Sequence, residues 1–322
     1  MEVPEIVRIF AANKKSGRSM AKFINPFTDI GFKRIFGQEI SKPVLLAFLN
    51  SLLEGEHHIS DLQLLDKEQL GDSRDDRSLI YDIFCEVEGG KHIIVEMQNK
   101  SQPFFKERSI YYLSRSISRQ GEPGDKWHYK DLKAVYLIAF LNFKLGNESD
   151  DFRIDVGLMD MKRKKLFSDK QRLIYLQLPL FNKEVDDCET IFDKIIYVLK
   201  HMDVLNRMPW LAQEAVFQRL ASIADVASLS KQERQAYDED LRKYRDTVAV
   251  MEGQYLEGRA EGRAEGRAEG RAEGRAEGRA EGRAEGIEEG IMKVARNMKE
   301  SGAGLADIMK FTGLNEEQIK LL

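Results

Sequence analysis

The period of the apolar residues changes along the chain, and this change predicts a mixed α/β domain. Apolar residues recur three or four positions apart in "FTDIGFKRIFG" at 27–37 and in "KPVLLAFLNSLLEG" at 42–55, which is the spacing of a helix that buries one face. Further helices are predicted at 104–120 and as three segments within 189–250. Alternating or continuous apolar runs, which are typical of strands, occupy residues 57–66, 81–100, 134–143, 152–160 and 172–178. The order of these elements predicts a central sheet flanked by helices.

Two of the predicted helices carry further local signals. In the first, Thr28 or Asp29 can cap the N-terminus, and Gly37 is placed to end the helix. In the helix at 104–120, the spacing places Ile110, Leu113 and Ile117 on one apolar face.

Polar residues interrupt the strand pattern in "YDIFCEVEGGKHIIVEMQNK" at 81–100, which predicts a hairpin that turns at Gly89 and Gly90. Glu96 and Gln98 share one face of the second strand because side chains alternate. A two-residue turn pairs residues whose numbers sum to 179 and points Asp82 to the other face. A three-residue loop at 89–91, or a bulge, gives a sum of 180, so that Asp82 faces Gln98 and the three polar groups converge. A shared site therefore predicts an odd loop or a bulge.

The two ends of the chain differ from the central pattern. Residues 1–19 lack clear periodicity, and Met20 is a candidate start of translation, so we expect residues 1–22 to be a disordered leader. Seven copies of "EGRA" lie within 251–286, which we interpret as a weakly helical, solvated spacer, since each glycine disfavours the helix by roughly 1 kcal/mol. Residues 287–322 recover helical spacing and predict a small helical module that resembles a helix-turn-helix. We favour docking or oligomerisation over DNA readout for it, because its last helix is acidic.

Composition narrows the classes of protein that fit. The formal net charge of −4 excludes a uniformly basic nucleic-acid-binding surface. The two cysteines, Cys85 and Cys188, lie far apart in the sequence. This spacing indicates a protein of a reducing compartment that has no structural zinc site. No apolar run approaches the length of a membrane span, and the N-terminus shows no signal region, so we expect a cytoplasmic protein that does not bind a membrane.

The two acids of the hairpin, Asp82 and Glu96, are candidate metal ligands. Two carboxylates that lie within a few ångströms repel each other strongly unless a cation joins them. A hard divalent ion with oxygen ligands is the natural partner, and such an ion can activate a water and polarise a phosphodiester. We rate this functional explanation of Asp82 and Glu96 above a structural one, because acids at the facing ends of a buried hairpin are hard to justify otherwise.

"YDIFCE" followed by "VEMQ" resembles the core motif of the PD-(D/E)XK nuclease superfamily, with thirteen residues between Asp82 and Glu96. Residues 23–250 resemble more specifically the recombination-promoting nuclease (Rpn)/transposase branch. The matching stretches, in order, are "NPFTDIGFKRIFG", "YDIFCEVEGGKHIIVEMQ", "FFKERSIYYLSRSISRQ" and "WHYKDLKAVYLIAFLNF".

The resemblance implies a restriction-endonuclease-like fold, a mixed central sheet flanked by helices, with the C-terminal helices as an extension. It also implies Mg²⁺-dependent cleavage of DNA, with Mn²⁺ or Ca²⁺ as other candidate ions. Asp82 and Glu96 match the metal ligands, and Gln98 occupies the position of the usual catalytic lysine. Asp29 matches an additional acidic ligand. Tyr81 replaces the proline of the motif, and Gln98 cannot supply the positive charge of lysine, although Lys100 lies on the same face.

Several alternatives remain open at this point. Asp29 can equally be a helix cap, and Lys33 can belong to a solvated face, although we also consider Lys33, Lys100 and Arg108 as DNA contacts. The alternative to a nuclease is a catalytically inactive DNA- or protein-binding regulator that retains the fold, and a strand-joining transposase is a third. We expect a homo-oligomer, with the C-terminal helices as one candidate interface.

Overall fold

The structure is a computed structural model that describes residues 21–56, 58–66, 68–69, 79–121, 127–146 and 150–322. It divides the chain into two compact units, Met1–Met251 and Glu252–Leu322. The predictions for the leader and for Met20 fall on residues outside these ranges, apart from residues 21 and 22. None of the helices in the described ranges has the length and the apolar content that a membrane span requires.

The first unit contains a six-stranded mixed sheet, as the sequence predicts. The helices that begin in it are α1 (Asp29–Phe36), α2 (Lys42–Leu52), α3 (Phe105–Ser118), α4 (Ile191–His201), α5 (Ala215–Ala224) and α6 (Lys231–Glu300). The strands are β1 (Leu62–Leu64), β2 (Glu68–Gln69), β3 (Leu79–Ile80), β4 (Ile83–Val87), β5 (Lys91–Gln98), β6 (Val135–Leu141), β7 (Arg153–Asp160) and β8 (Lys165–Gln177). The large sheet has the order β1-β4-β5-β6-β8-β7, and β2 pairs with β3 separately.

Helices cover both faces of the sheet, which explains the continuous apolar run of β6. One face packs on α1, α2, α4 and α5 and includes the ring of Phe140, which lies within 6 Å of Phe32, Phe36 and Phe48. The other face packs on α3 through residues such as Ile94 and Leu113. Every residue of β6 is therefore buried, as expected for a central strand that is parallel to both neighbours.

The turn before α1 follows from its sequence. The Thr28 hydroxyl accepts a hydrogen bond from the Gly31 amide at 3.0 Å, so Thr28 rather than Asp29 is the N-cap, and Gly37 follows the last residue as expected. Only a glycine fits at position 31, because a Cβ there would lie 2.1 Å from the carbonyl oxygen of Asn25. The helix consequently begins directly beneath a compact turn at residues 25–28.

Two sequence predictions for the first unit were wrong in detail. The last strand begins at Lys165, seven residues before the predicted start, because it pairs with β7 beyond the region that carries an apolar pattern. On α3, Ile110 is 53% exposed, whereas Ser109 is buried and its hydroxyl hydrogen-bonds the Tyr175 hydroxyl at 2.6 Å. The buried face of α3 is thus rotated by one residue, since a hydrogen-bonded serine can be buried at little cost.

The second unit contains the rest of α6, together with α7 (Leu305–Thr312) and α8 (Glu316–Lys320). Helix α6 is continuous through the "EGRA" repeats, whose side chains are exposed throughout. Three of the four residues in each repeat are good helix formers, and they offset the glycine. The C-terminal helices form a small core of Ala295, Ile308 and Ile319, and Gly313 adopts a left-handed conformation between α7 and α8.

Candidate active site

The register of the β4–β5 hairpin brings the two predicted acids together. Ile83 pairs with Val95 and Val87 with Lys91, so the partners' numbers sum to 178 and a three-residue loop, 88–90, joins the strands. The predicted loop length is confirmed, but the loop begins one residue earlier than 89–91. Gly89 and Gly90 occupy its two positions with positive φ, at 86° and 79°. Asp82 therefore lies opposite Glu96 rather than opposite Gln98.

Each of the two carboxyl groups accepts a hydrogen bond from a backbone amide across the hairpin. The Met97 amide donates to Oδ2 of Asp82 at 2.8 Å, and the Asp82 amide donates to Oε1 of Glu96 at 3.3 Å. The Asp82 carboxylate thus takes the place of a backbone acceptor in the hydrogen-bond ladder between β4 and β5, one residue before β4 begins. Glu96 is only 6% exposed, whereas Asp82 is half-buried. The arrangement holds two carboxyl groups side by side at the carboxyl end of β5.

The electrostatics of this pair are unfavourable in the absence of a cation. Burial raises the pKa of Glu96 to about 8, and the Asp82 carboxylate adds to the rise. The hydrogen bond from the Asp82 amide and the positive charges of Arg108 and Lys33 act in the opposite direction. Without a further cation, Glu96 is therefore largely protonated at neutral pH.

Arg108 is held beside this pair by α3. Its guanidinium donates to Oε1 of Gln102 at 2.6 Å and lies over the rings of Phe105, at 5.1 Å, and Tyr112, at 5.7 Å. These contacts leave the guanidinium close enough to lower the pKa of Glu96. Tyr112 is half-buried and also packs edge-on against Tyr81.

Tyr81, at the position where the nuclease motif has proline, is a packing residue. It is fully buried, and its ring lies 5.2 Å from that of Phe84 and 5.7 Å from that of Tyr112. Burial raises the pKa of Tyr81 to about 12, so the phenol stays neutral. The residue anchors the start of the hairpin against α3, just before Asp82.

The remaining predicted site residues differ in their surroundings. Asp29 is ion-paired with Lys33 one turn along α1, and its side chain is 55% exposed. Gln98 is the last residue of β5 and is half-buried, while Lys100 is exposed beyond the strand. Across the described ranges, no group of three or more His, Cys, Asp or Glu side chains is arranged to hold a metal ion. The structure thus unites Asp82 with Glu96, places Arg108 and Lys33 within electrostatic range, and does not bring Asp29 to the pair.

Two asparagines outside the predicted site fix the end of β5. The Asn99 amide group donates to the Phe27 carbonyl at 2.5 Å, which ties the strand to the turn before α1. The backbone amide of Asn142 donates to the Gln98 carbonyl at 2.9 Å. Each asparagine directly follows an apolar strand, and this placement is the signal that could have identified them.

Comparison with known proteins places the chain in a family. The family model for PD-(D/E)XK nuclease family transposases matches residues 26–254, which include the hairpin, α1 and α3. No curated protein and no solved structure matches the chain significantly. The match covers more than half of the chain and agrees with the resemblance in the motifs around Asp82 and Glu96. The chain therefore belongs to the PD-(D/E)XK nuclease family transposases.

Proposed function

We propose that the protein is a divalent-metal-dependent DNA endonuclease that hydrolyses phosphodiester bonds. The observation that supports this function is the juxtaposition of Asp82 and Glu96, two carboxyl groups joined through hydrogen bonds to each other's strand. Burying Glu96 beside the half-buried Asp82 costs free energy, which a bound cation would offset. Family membership supports a nuclease or transposase type of activity.

The residues at the pair fit a Mg²⁺ ion. Mg²⁺ is typically bound by one or two carboxylates and keeps several of its waters, so two acids are a sufficient protein ligand set. Asp82 and Glu96 are the ligands in this proposal, with Mn²⁺ or Ca²⁺ as substitutes. Asp29 would become a third ligand only if it left Lys33. When bound, the ion supplies an activated water and polarises the phosphodiester.

The surrounding side chains orient the substrate. Gln98, on the same strand face as Glu96, can accept and donate hydrogen bonds and thereby position the attacking water. Arg108 is the candidate phosphate contact, since a guanidinium pairs bidentately with phosphate oxygens. Lys33 and Lys100 are further candidate contacts with the DNA backbone. Lysine is absent at position 98, so positive charge near the reacting phosphate comes from these residues.

The test is a plasmid-nicking assay of the parent protein, Asp82→Asn and Glu96→Gln, with Mg²⁺, with Mn²⁺ and with EDTA. We expect the parent to nick DNA only with a divalent ion, and each variant to lose at least a hundredfold in rate. Glu86→Gln is the matched control, because Glu86 lies on the same hairpin near its loop end, opposite His92. This control should cut like the parent.

Equal cutting by the parent, Asp82→Asn and Glu96→Gln would refute the assignment of the acids. A folded parent that binds DNA tightly but does not bind or respond to Mg²⁺ or Mn²⁺ would favour the inactive regulator. Gln98 in place of lysine is the specific feature that keeps this second function under consideration. Titration calorimetry with each ion distinguishes the two outcomes.

A further inference from the structure

The edge of the sheet formed by β7 exposes apolar side chains. Strand β7 is the last strand in the sheet order, and within the described ranges it pairs only with β8. Val156, Leu158 and Met159 are 42%, 43% and 45% exposed along it. Charges and bulges discourage pairing at an edge, and β7 carries Arg153, Asp155 and Asp160 and pairs irregularly with β8 after Gly157, but its exposed apolar residues favour pairing.

The far end of this hairpin extends beyond the rest of the sheet. Strand β6 pairs only with Gln171–Gln177 of β8, so residues 165–170 and the facing end of β7 form a two-stranded ribbon. Leu166 and Phe167 of the ribbon are 66% and 79% exposed. A two-stranded ribbon with exposed apolar side chains would gain stability if another surface covered it.

The two ends of the segment that contains β7 carry opposite charges. We define the edge segment as residues 150–165. It begins with Asp150 and Asp151 and ends with the basic turn Lys162–Lys165. An antiparallel second copy of the same segment therefore brings the acidic start of each copy to the basic turn of the other.

Symmetry restricts how two copies of β7 can pair. In an antiparallel pair, hydrogen-bonded and non-hydrogen-bonded residue pairs alternate, so a two-fold axis must pass through a residue paired with its own copy. Pairing centred on Gly157 sets Val156 opposite Leu158 and keeps like charges from facing each other. Centring on Asp155 opposes two aspartates, and centring on Leu158 opposes Arg153 with Arg163. Centring on Val156 opposes one acid with a basic residue at each end, whereas centring on Gly157 opposes both Asp150 and Asp151 with basic residues.

We propose that β7 is a homodimer interface, in which two copies pair antiparallel about Gly157 and the edge segment of each copy covers that of the other. The partner is a second copy of this chain, and the two sheets join into one continuous sheet. Two intrachain pairs contribute little stability and can rearrange: Lys144 with Asp150, which is exposed on both sides, and Arg163 with Asp160, in which the arginine is exposed.

The position of the basic turn favours a second copy over DNA in the active site. Glu96 pairs with Ala139 on β6, and Ala139 pairs in turn with Tyr175 on β8. Tyr175 pairs with Ile154 and Lys165 with Asp160, six residues further along β7, so Lys165 lies roughly 20 Å away along the strands, toward their other end. The basic turn therefore lies at the other end of the strands from Asp82 and Glu96.

Sedimentation equilibrium of the full chain tests the proposal by charge exchange. One variant, Lys162→Glu with Lys164→Glu, makes the turn acidic, and another, Asp150→Lys with Asp151→Lys, makes the start basic. We expect the parent to have twice the chain mass and each variant alone to dissociate at least tenfold more readily. Mixing the two variants should restore a dimer, because one copy is then acidic and the other basic. Lys130→Glu with Lys133→Glu is the matched control and should behave as the parent.

Three outcomes would overturn the proposal. The first is a monomeric parent at tens of micromolar. The second is a parent dimer that both charge variants and Leu158→Glu leave intact, which would move the interface to another surface such as the C-terminal helices. The third is a loss of DNA affinity in Lys162→Glu with Lys164→Glu, without any change in mass, which would assign the turn to nucleic acid. None of these readouts depends on catalysis, so they stand whether or not the proposed nuclease activity does.

Discussion

Glu96 is a carboxyl group that the fold removes from water beside a second carboxyl group. The register of a single hairpin accounts for both features, since it sets Asp82 opposite Glu96 and places their strand face under α3. A three-residue loop, which the sequence predicts, gives an even sum of paired residue numbers and so places Asp82 and Glu96 on the same face of the hairpin. The direct opposition of the acids does not follow from the loop length, because the loop lies one residue earlier than expected. Local glycine conformations decided that difference.

We predict that burial of Glu96 makes the metal-free protein less stable as the pH rises. The folded state holds this proton up to a pKa of about 8, whereas the unfolded chain releases it near 4.5. The stabilisation is therefore fully present below about pH 4.5 and is lost as pH rises through about 8, with a slope of at most about 1.4 kcal/mol per pH unit. Urea unfolding in EDTA at several pH values measures it.

Glu96→Gln is the comparison for this measurement, because the amide has nearly the same shape and does not titrate in this range. The free energy of unfolding of the variant should vary less with pH than that of the parent between pH 5 and 8. Asp203, whose pKa burial raises to about 6, contributes equally to both proteins and cancels. Parallel pH dependences would show that Glu96 is not held protonated.

Gln98→Lys tests the departure from the superfamily motif, and it rests on the proposed nuclease activity. An ammonium two residues from Glu96 on the same strand face should lower the pKa of Glu96. We expect the low-pH limb of the nicking rate to move to lower pH by about one unit, measured at fixed Mg²⁺. Gln98→Met, similar in size and uncharged, should not move it. An unmoved limb in the lysine variant would mean that position 98 does not face the acids.

At the scale of the elements, periodicity predicted the type of most helices and strands, and contacts between them decided the ends and the buried faces. Strand β8 is longer than its apolar pattern because β7 pairs with its polar half. Helix α3 buries Ser109 in preference to Ile110 because Tyr175 supplies a hydrogen bond. Such partners are distant in sequence, so a local pattern cannot contain them.

The "EGRA" part of α6 gives a prediction at this scale. A Cβ added at Gly266 meets nothing within 4 Å, so Gly266→Ala should stabilise the helix there by about 0.5–1 kcal/mol, through backbone entropy alone. Amide hydrogen exchange across residues 258–274 should slow in the variant. Gly31→Ala is the contrasting substitution: it should destabilise the first unit, because its Cβ would collide with the Asn25 carbonyl. Unchanged exchange in Gly266→Ala would show that this segment does not hold a helix in solution.

At the scale of the whole molecule, the chain forms two compact units with separate cores. The core of the first unit includes Phe140, and the small core of the second includes Ile308. Both the candidate active site and the β7 edge belong to the first unit. The active site and the basic turn lie at opposite ends of the strands, because Glu96 is near the carboxyl end of β5 and the turn precedes the amino end of β8, whereas β7 itself runs along the whole edge.

The sequence by itself determined the kinds of element, the shared face of Glu96 and Gln98, and the motif that indicates a nuclease, because these depend on periods of two and 3.6 residues and on residue types. Only the tertiary structure decided that Asp82 and Glu96 exchange hydrogen bonds with each other's strand, that Asp29 pairs with Lys33, and that β7 is left exposed at an edge. These facts depend on desolvation and on contacts between residues far apart in the chain. Both arise only when the sheet and its covering helices are assembled.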